Sequence, residues 1–406
     1  MVNDISRLQN GRNCSAFSRF TVAISTFQVS RNIKTAKKKE AICKTVIYWG
    51  TRFCHSPSRE MADLLADELN LLLLRDMVSG RATSVNLSYL SRVIHKHRNT
   101  IRKTVADLFA AKIINPPIFP FMGLYKEYSL LVAVRADLPD DEMFKNWIRD
   151  DKHIFAAFRS RQGEYNTLLF IFHRDVLSYQ LWRESLVPSG KIPPRDTRYP
   201  SSAYFFSNQL MVKYEPSAAI HLMEEQLKNE GKVDFDDYTI DELDFKVLRC
   251  LVTGKGIKVN ENLLSKATGV HRSTVERRIS EMLAGGWVSR PVCRFPNFFV
   301  PPNYLLVFSM YEIKKSKEEI LREIRKDLHI AIALEISHGR YNLLTFENYL
   351  TVPDHQRWER EYSNRFPGCF GSAEITYLTP EMTVSIDQQK VSLGIIEEKL
   401  RRVQGK

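Results

Sequence analysis

Two short basic stretches hold the side chains whose types and spacing best suit chemistry with another molecule. The first carries Arg98, Asn99, Thr100, Arg102 and Lys103; the second carries Arg272, Ser273, Thr274, Arg277 and Arg278. Each is interleaved with apolar residues at i, i+4, i+7 and i+8, which are Ile101, Val105, Leu108 and Phe109 in one and Val275, Ile279, Met282 and Leu283 in the other. That spacing makes a helix with one buried stripe and an opposite face that is short, polar and cationic. Guanidinium and ammonium groups pair with phosphates and guanine edges, and Asn, Ser and Thr hydrogen-bond bases or backbone, so the chemistry on offer is recognition of a duplex. Signatures of catalysis are thin. No G-x-S-x-G, H-E-x-x-H, P-loop or G-x-G-x-x-G occurs, and the acidic pairs Asp140-Asp141 and Asp236-Asp237 fall in connecting segments. His153 and His329 open strands at corresponding places and read as partly buried strand histidines.

Both stretches sit inside a longer repeat. Sliding the chain on itself by 174 positions superposes 16 identities over 67–117 and 241–291, among them Leu74/Leu248, Gly80/Gly254, Asn86/Asn260, His97/His271, Arg98/Arg272 and Thr100/Thr274. Chance would give only a few, so a duplicated unit is the economical reading. In the second copy, Leu243, Val247, Leu248 and Leu251 mark one helix face that Gly254 ends. A second helix is expected over 260–268 with Leu263, Leu264 and Ala267 inward, then a tight turn at Gly269-Val270 and a third helix that stops at Gly285-Gly286. A tri-helical cluster whose third helix presents a cationic face fits a major groove.

At these residues the segment YTIDELDFKVLRCL…NLLSKATGVHRSTVERRISEMLAGGWV resembles the N-terminal DNA-binding domain of the Lrp/AsnC (feast/famine) family of prokaryotic transcription regulators. The acidic-Leu-Asp opening, the turn glycine, the Ser-Thr-Val-x-Arg-Arg helix and the closing Gly-x-Val carry the resemblance. Two departures are visible: His271-Arg272 stands where the family has Ser-Pro, and His95 replaces the turn glycine in the first copy. The first leaves Ser273 and Asn99 as substitutes for the helix N-cap.

Beyond each head lies a Pro- and aromatic-rich piece, 114–121 and 288–299, read as wing and exit strand. The register then becomes 176, and Tyr128/Tyr304, Asp151/Asp327, His153/His329, Gly163/Gly339, Tyr165/Tyr341, Asn166/Asn342 and Trp182/Trp358 coincide. The spacing predicts strands at 304–311, 330–336, 341–346 and 373–378, with helices at 317–327 and 354–365, a βαββαβ unit of ferredoxin-like type. This order is similar to the effector-binding, dimerising (RAM) domain of the same family, whose Gly-x-Tyr-Asp-Leu-Leu segment here reads with Asn for Asp. The resemblance implies an amino-acid-like effector near Gly163, Tyr165, Asn166, Gly339, Tyr341 and Asn342. Siroheme decarboxylases are built on a similar architecture and use histidines, which makes a tetrapyrrole-modifying enzyme the alternative, although the motifs associated with them are not evident.

The 406 residues give room for several domains, and 44% apolar with 26% charged residues is an ordinary globular composition. Six scattered cysteines without a C-x-x-C pair argue against zinc and against a disulfide framework, and point to a reducing cytoplasm. Residues 1–60 hold eleven Lys/Arg against Asp4, Glu40 and Glu60, so they supply +8 of the formal +12. Three accounts compete for them: a disordered basic arm, a targeting peptide, or translated upstream sequence with the start at Met61, which is favoured because the repeat begins just beyond it. The expected order is the extension (1–60), a winged helix-turn-helix (61–122), a βαββαβ domain (123–214), a helix with an acidic linker (215–238), the second head (239–300), the second βαββαβ domain (301–380) and a closing helix (381–406). The fold class is thus α+β, in two tandem copies. The expected function is sequence-preferring DNA binding that regulates transcription, with the copies paired inside one chain as a pseudo-dimer and further pairing of chains open. No enzyme activity, cofactor, metal or membrane partner is expected.

Overall fold

The computed structural model describes residues 65–160, 165–189, 191, 202–207, 210–235, 238–297, 299–336 and 339–405. The basic extension, Gly163 and most of the loop expected at 187–200 lie outside the described residues. The first head begins with α1 (Glu68–Val78), where the Asp67 carboxylate accepts the Asn70 N–H at 2.9 Å and satisfies an amide that the helix start leaves without a partner. Its buried stripe holds Leu71, Leu74, Met77 and Val78. A short strand, β1 (Thr83–Val85), leads to α2 (Leu87–Ile94), capped by Asn86, and α3 (Arg98–Ala110) follows after a tight turn.

The first sheet domain consists of a one-turn helix α4 (Leu124–Glu127), β2 (Leu130–Ala136), α5 (Glu142–Asp150), β3 (Ile154–Arg159), β4 (Thr167–His173), α6 (Val176–Leu186) and β5 (Ser202–Ser207). Then come β6 (Met211–Tyr214), α7 (Ala219–Glu230) and the strands β7 (Val233–Phe235) and β8 (Tyr238–Ile240). Those two strands pair antiparallel where an acidic linker was expected, because Val233, Phe235 and Ile240 are buried while the intervening Asp234 and Thr239 face water. The second head repeats the first with α8 (Glu242–Val252), β9 (Ile257–Val259), α9 (Glu261–Thr268) and α10 (Arg272–Ala284). Its sheet domain comprises β10 (Leu305–Ile313), α11 (Lys317–Lys326), β11 (Ile330–Glu335), β12 (Leu343–Tyr349), α12 (Val352–Arg365) and β13 (Phe370–Leu378), and the chain continues through β14 (Thr383–Ile386) and α13 (Lys390–Gln404).

Each sheet has five strands, and each takes its last from the other half. The orders are β14-β3-β4-β2-β5 and β13-β10-β12-β11-β6. Thus β6 leaves the first domain to pair with β11, and β14 leaves the second to pair with β3. The inner faces meet through Phe158, Phe170, Phe308 and Phe346, with ring centroids 5.0 Å apart for Phe170–Phe346 and 5.2 Å for Phe170–Phe308. The outer faces are covered by α5 and α6 on one sheet and by α11 and α12 on the other, each over its own apolar cluster.

The heads are locked to each other as well. Strand β1 pairs with β9 over Thr83↔Val259, Ser84↔Lys258 and Val85↔Ile257, and the ladder is extended by Asn86 N–H to Gly256 C=O and Asn260 N–H to Ala82 C=O. Gly256 has φ +79° and lies so close to Leu90 that a Cβ there would fall 2.5 Å from its side chain, so both backbone and space call for glycine. The two pieces read as wings zip together, with Ile118 paired to Val292 and Phe121 to Val288. These contacts join the halves of one chain; local sequence pattern, which reports on neighbours along the chain, does not register them.

Candidate nucleic-acid interface and the buried groups of the sheet domains

The third helix of each head starts from an unusual cap. His97 Nδ1 accepts the Asn99 N–H at 3.2 Å and His271 Nδ1 accepts the Ser273 N–H at 3.3 Å, so the shared histidines themselves do what was expected of Asn99 and Ser273. Ahead of α3 the turn residue His95 adopts φ +58°, the left-handed conformation that Gly269 takes at +69° ahead of α10. A side chain is held there at a cost of roughly 1–2 kcal/mol relative to glycine. The turn geometry therefore matches in the two heads despite the change of residue.

On α3, Ile101, Val105 and Leu108 are buried, and Arg98, Asn99, Thr100, Arg102 and Lys103 are all exposed. Arg98, Arg102 and Lys103 take part in no ion pair among the described residues. On α10, Val275, Ile279 and Met282 are buried, yet the cations are engaged. Arg272 pairs with Glu261 at 2.7 Å, Arg277 with Glu281 one turn on at 2.6 Å, and Arg278 with Asp67 of the first head at 3.4 Å. Arg272 and Arg277 stay more than half exposed, whereas Arg278 is 26% exposed and faces protein. Ser273 is exposed and Thr274 half-buried. The heads cross, α3 packing along α8 of the second head and α9 along α1 of the first, so the spacing of the two third helices is set by packed structure.

In the sheet domains the residues expected near an effector are placed as follows. Asn166 accepts the Leu138 N–H at 3.0 Å and donates to the Leu138 C=O at 2.9 Å; Asn342 does the same to Ile313 at 2.8 and 2.7 Å. Both amides pin the hairpin to the end of the neighbouring strand. Tyr165 lies under the Arg135 guanidinium, 5.1 Å from ring centroid to carbon, and Tyr341 packs 6.4 Å from Tyr204. Gly339 has φ +107° with open space around it.

The paired histidines lie in matching constellations. His153 Nδ1 is 3.2 Å from Asp151, whose other oxygen accepts the Trp182 Nε1–H at 2.9 Å; hydrogen bonds from His153 and Trp182 outweigh burial and hold that carboxyl below its ordinary range. In the second half the backbone N–H of His329 reaches Asp327 at 2.8 Å, and Asp327 also accepts from Trp358 and Tyr362. His153 stacks on His173 at 4.6 Å and His329 on Tyr349 at 4.6 Å. Burial and the neighbouring His153 push the His173 imidazole from 6.5 down to about 3, and its Nε2 has no hydrogen-bond partner.

The second half carries a buried polar group that pattern reading missed. Glu347 is fully buried and accepts from Tyr311 Oη at 3.2 Å, from Tyr349 Oη at 2.8 Å and from Thr345 Oγ1. His355, also fully buried, lies 3.5 Å from Glu347 through Nε2 and 3.1 Å from Tyr377 Oη through Nδ1. The sequence signal was Thr345-x-Glu347-x-Tyr349, three hydrogen-bonding residues on one face of a strand at period two. The corresponding positions in the first half are Leu169, Ile171 and His173.

Comparisons with known proteins come to bear here. No family model matches the chain, and no curated protein matches it. Among solved structures, the siroheme decarboxylase NirDL is similar over 82% of this chain and 100% of its own, at 12% identity and a TM-score of 0.46. The regulator LrpC of Bacillus subtilis matches 39% of this chain and 91% of its own, at 9% identity and TM-score 0.23; a Neisseria meningitidis transcriptional regulator in complex with L-Met matches 42% and 94%, at 14% and 0.25. The expectation that the chain is no enzyme is corrected by this finding, since a structure similar along the whole of its own length is that of an enzyme. The expected α+β fold class, a helix-turn-helix head followed by a ferredoxin-like domain, is what the structure has. No helix among the described residues is long and apolar enough to cross a membrane.

Proposed function

We propose that the chain binds double-stranded DNA with sequence preference and regulates transcription, and that the first head makes the stronger contact. One observation supports this reading: Arg98, Arg102 and Lys103 are exposed on a histidine-capped helix and take part in no ion pair among the described residues. Free cations on a helix about 10–12 Å across suit the phosphates and base edges of a major groove. On the second head, an incoming phosphate has first to displace Glu261 and Glu281. Exposed ion pairs of this kind are worth only about 0–1 kcal/mol, so Arg272 and Arg277 exchange partners at small cost. Arg278 stays on Asp67 and serves the junction between heads.

Because the heads are fixed to each other, the two third helices engage one duplex as a unit. Asn99 against Ser273 and Arg102 against Glu276 then make the preferred operator asymmetric. The test is fluorescence anisotropy on duplexes selected from genomic fragments, across a salt series. Binding through about six to ten phosphates loses ~10³–10⁵ in affinity between 50 and 200 mM salt. A salt-independent affinity, or equal affinity for the chain with Arg98, Arg102 and Lys103 all changed to Ala, refutes the reading.

A further inference from the structure

The second half has an open cleft of about 600 Å³ on the outer side of its sheet domain, between α7, the end of α11 and α12. Its walls include Glu225, Glu361, His329, Leu350, Trp358 and Tyr362. Three cations line it, and each is already matched inside it: Lys326 and Arg365 pair with Glu323, and Arg357 with Asp354. Lys213 approaches from the sheet but goes to the backbone carbonyl of Asp327 and to Glu215. Glu225 and Glu361 have no ion pair among the described residues. The cleft thus offers two exposed carboxylates without an ion pair beside the half-buried Tyr362, whose ring packs 4.3 Å by centroid from the buried Trp358.

The matching region of the first half shows what belongs there. On α13 the segment Ile396-Glu397-Glu398-Lys399-Leu400 corresponds to Met223-Glu224-Glu225-Gln226-Leu227 on α7. Glu398, the counterpart of Glu225, faces three of the protein's own cations. Lys152 lies at 3.5 Å, Arg402 is paired with it from one turn on, and Arg174 adds its field; against the opposing effect of burial they hold the carboxyl below its ordinary range. A fourth cation, Lys191, sits 5.6 Å over the Trp147 ring. In the second half Lys152 becomes Leu328, Arg174 becomes Leu350 and Arg402 becomes Asn229. Both leucines are exposed, at 41% and 39%. One half fills this place with ammonium and guanidinium groups, and the other leaves the carboxylate and lines its approach with apolar surface.

We propose that this cleft binds a small organic cation with an aliphatic body, an alkyl diamine in class, whose ammonium groups take the places that Lys152 and Arg174 hold in the first half. Carboxylates fix the charge, Tyr362 packs against the methylenes or faces the ammonium, and Leu350 shields the chain, with Leu328 at the rim beside the lining residues Asp327 and His329. The volume lies within the range of small-molecule sites. The proposal does not depend on DNA binding, and its test contains no DNA.

Calorimetry of the full chain with 1,5-diaminopentane as probe, and 1,5-pentanediol as the uncharged control, should give saturable one-to-one binding of the diamine alone. Leu328→Lys, which installs the first half's own cation at an exposed position, should weaken the diamine by about tenfold or more, as should Glu225→Gln, since each removes one charge-assisted contact. Lys152→Leu, in the opposite half, should leave the affinity unchanged. Unchanged melting temperatures establish that the variants fold. Absence of saturable binding, equal binding of the diol, or an affinity indifferent to both Leu328→Lys and Glu225→Gln overturns the proposal.

Discussion

The two halves share an order of elements, a histidine cap and an Asp–Trp hydrogen bond, yet they distribute charge in opposite ways. The first half leaves the cations of α3 bare and keeps Ile171 and His173 beneath its outer helices; the second pairs the cations of α10 with carboxylates and buries Glu347 and His355. What the halves keep in common is what fixes backbone: the caps and turn conformations of the heads and the strand order of the sheets. What they let diverge is the polarity of faces that the backbone merely presents. A pseudo-symmetric scaffold can in this way hold two different surfaces at one fixed spacing.

The largest expected effect tests the buried contrast. Glu347→Ile imports the first half's residue and removes the acceptor of the Tyr311, Tyr349 and Thr345 hydroxyls; it should cost about 3 kcal/mol or more in urea denaturation, since a buried polar group left without its partner costs about 1–3 kcal/mol. A loss under about 1 kcal/mol would mean the group is not paired as seen, and the contrast between the halves would collapse.

Next comes His173, whose pKa is depressed in the fold. Such a histidine contributes stability that is present above its unfolded value near 6.5 and lost as pH falls through the folded value of about 3. At pH 4 the loss amounts to up to about 3 kcal/mol. His173→Phe should keep the stacking on His153 and flatten the stability profile between pH 6.5 and 4, measured by denaturation at each pH. An unchanged acid limb would show that other groups set it.

At the heads, changing Arg98, Arg102 and Lys103 together to Ala should weaken duplex binding about a hundredfold at fixed salt and reduce the salt slope by about three if all three meet phosphates. The same treatment of Arg272 and Arg277 should do distinctly less. Equal losses would erase the difference proposed between the heads. Smallest is the converse change: Glu261→Gln with Glu281→Gln frees Arg272 and Arg277 and should tighten binding by about two- to fivefold. Looser binding would show that those ion pairs orient the arginines for DNA.

Sequence made the heads legible because helix periodicity and the glycines at 254, 269 and 285-286 act within a few residues; the caps by Asn86 and Asn260 became visible only in the structure. The βαββαβ order was legible for the same reason. Contacts between halves were not: β1 with β9, Ile118 with Val292, and the crossing strands β6 and β14 involve segments of three or four residues whose pattern is too short to announce a partner far along the chain. Asn166 and Asn342 looked like ligand-facing residues, and their amides turn out to hold backbone, which an isolated Gly-x-Tyr-Asn motif does not distinguish. Leu263 was expected inward and is 39% exposed, because α9 packs on Leu264 alone through its middle turn.

The exchange of β6 and β14 has a consequence for how the molecule can be taken apart. A severed first half would present β3 with an open hydrogen-bonding edge, and a severed second half would do the same at β11. Neither piece could close its own ladder, so fragments cut between α7 and α8 should recombine with each other, or with their own kind, rather than persist alone.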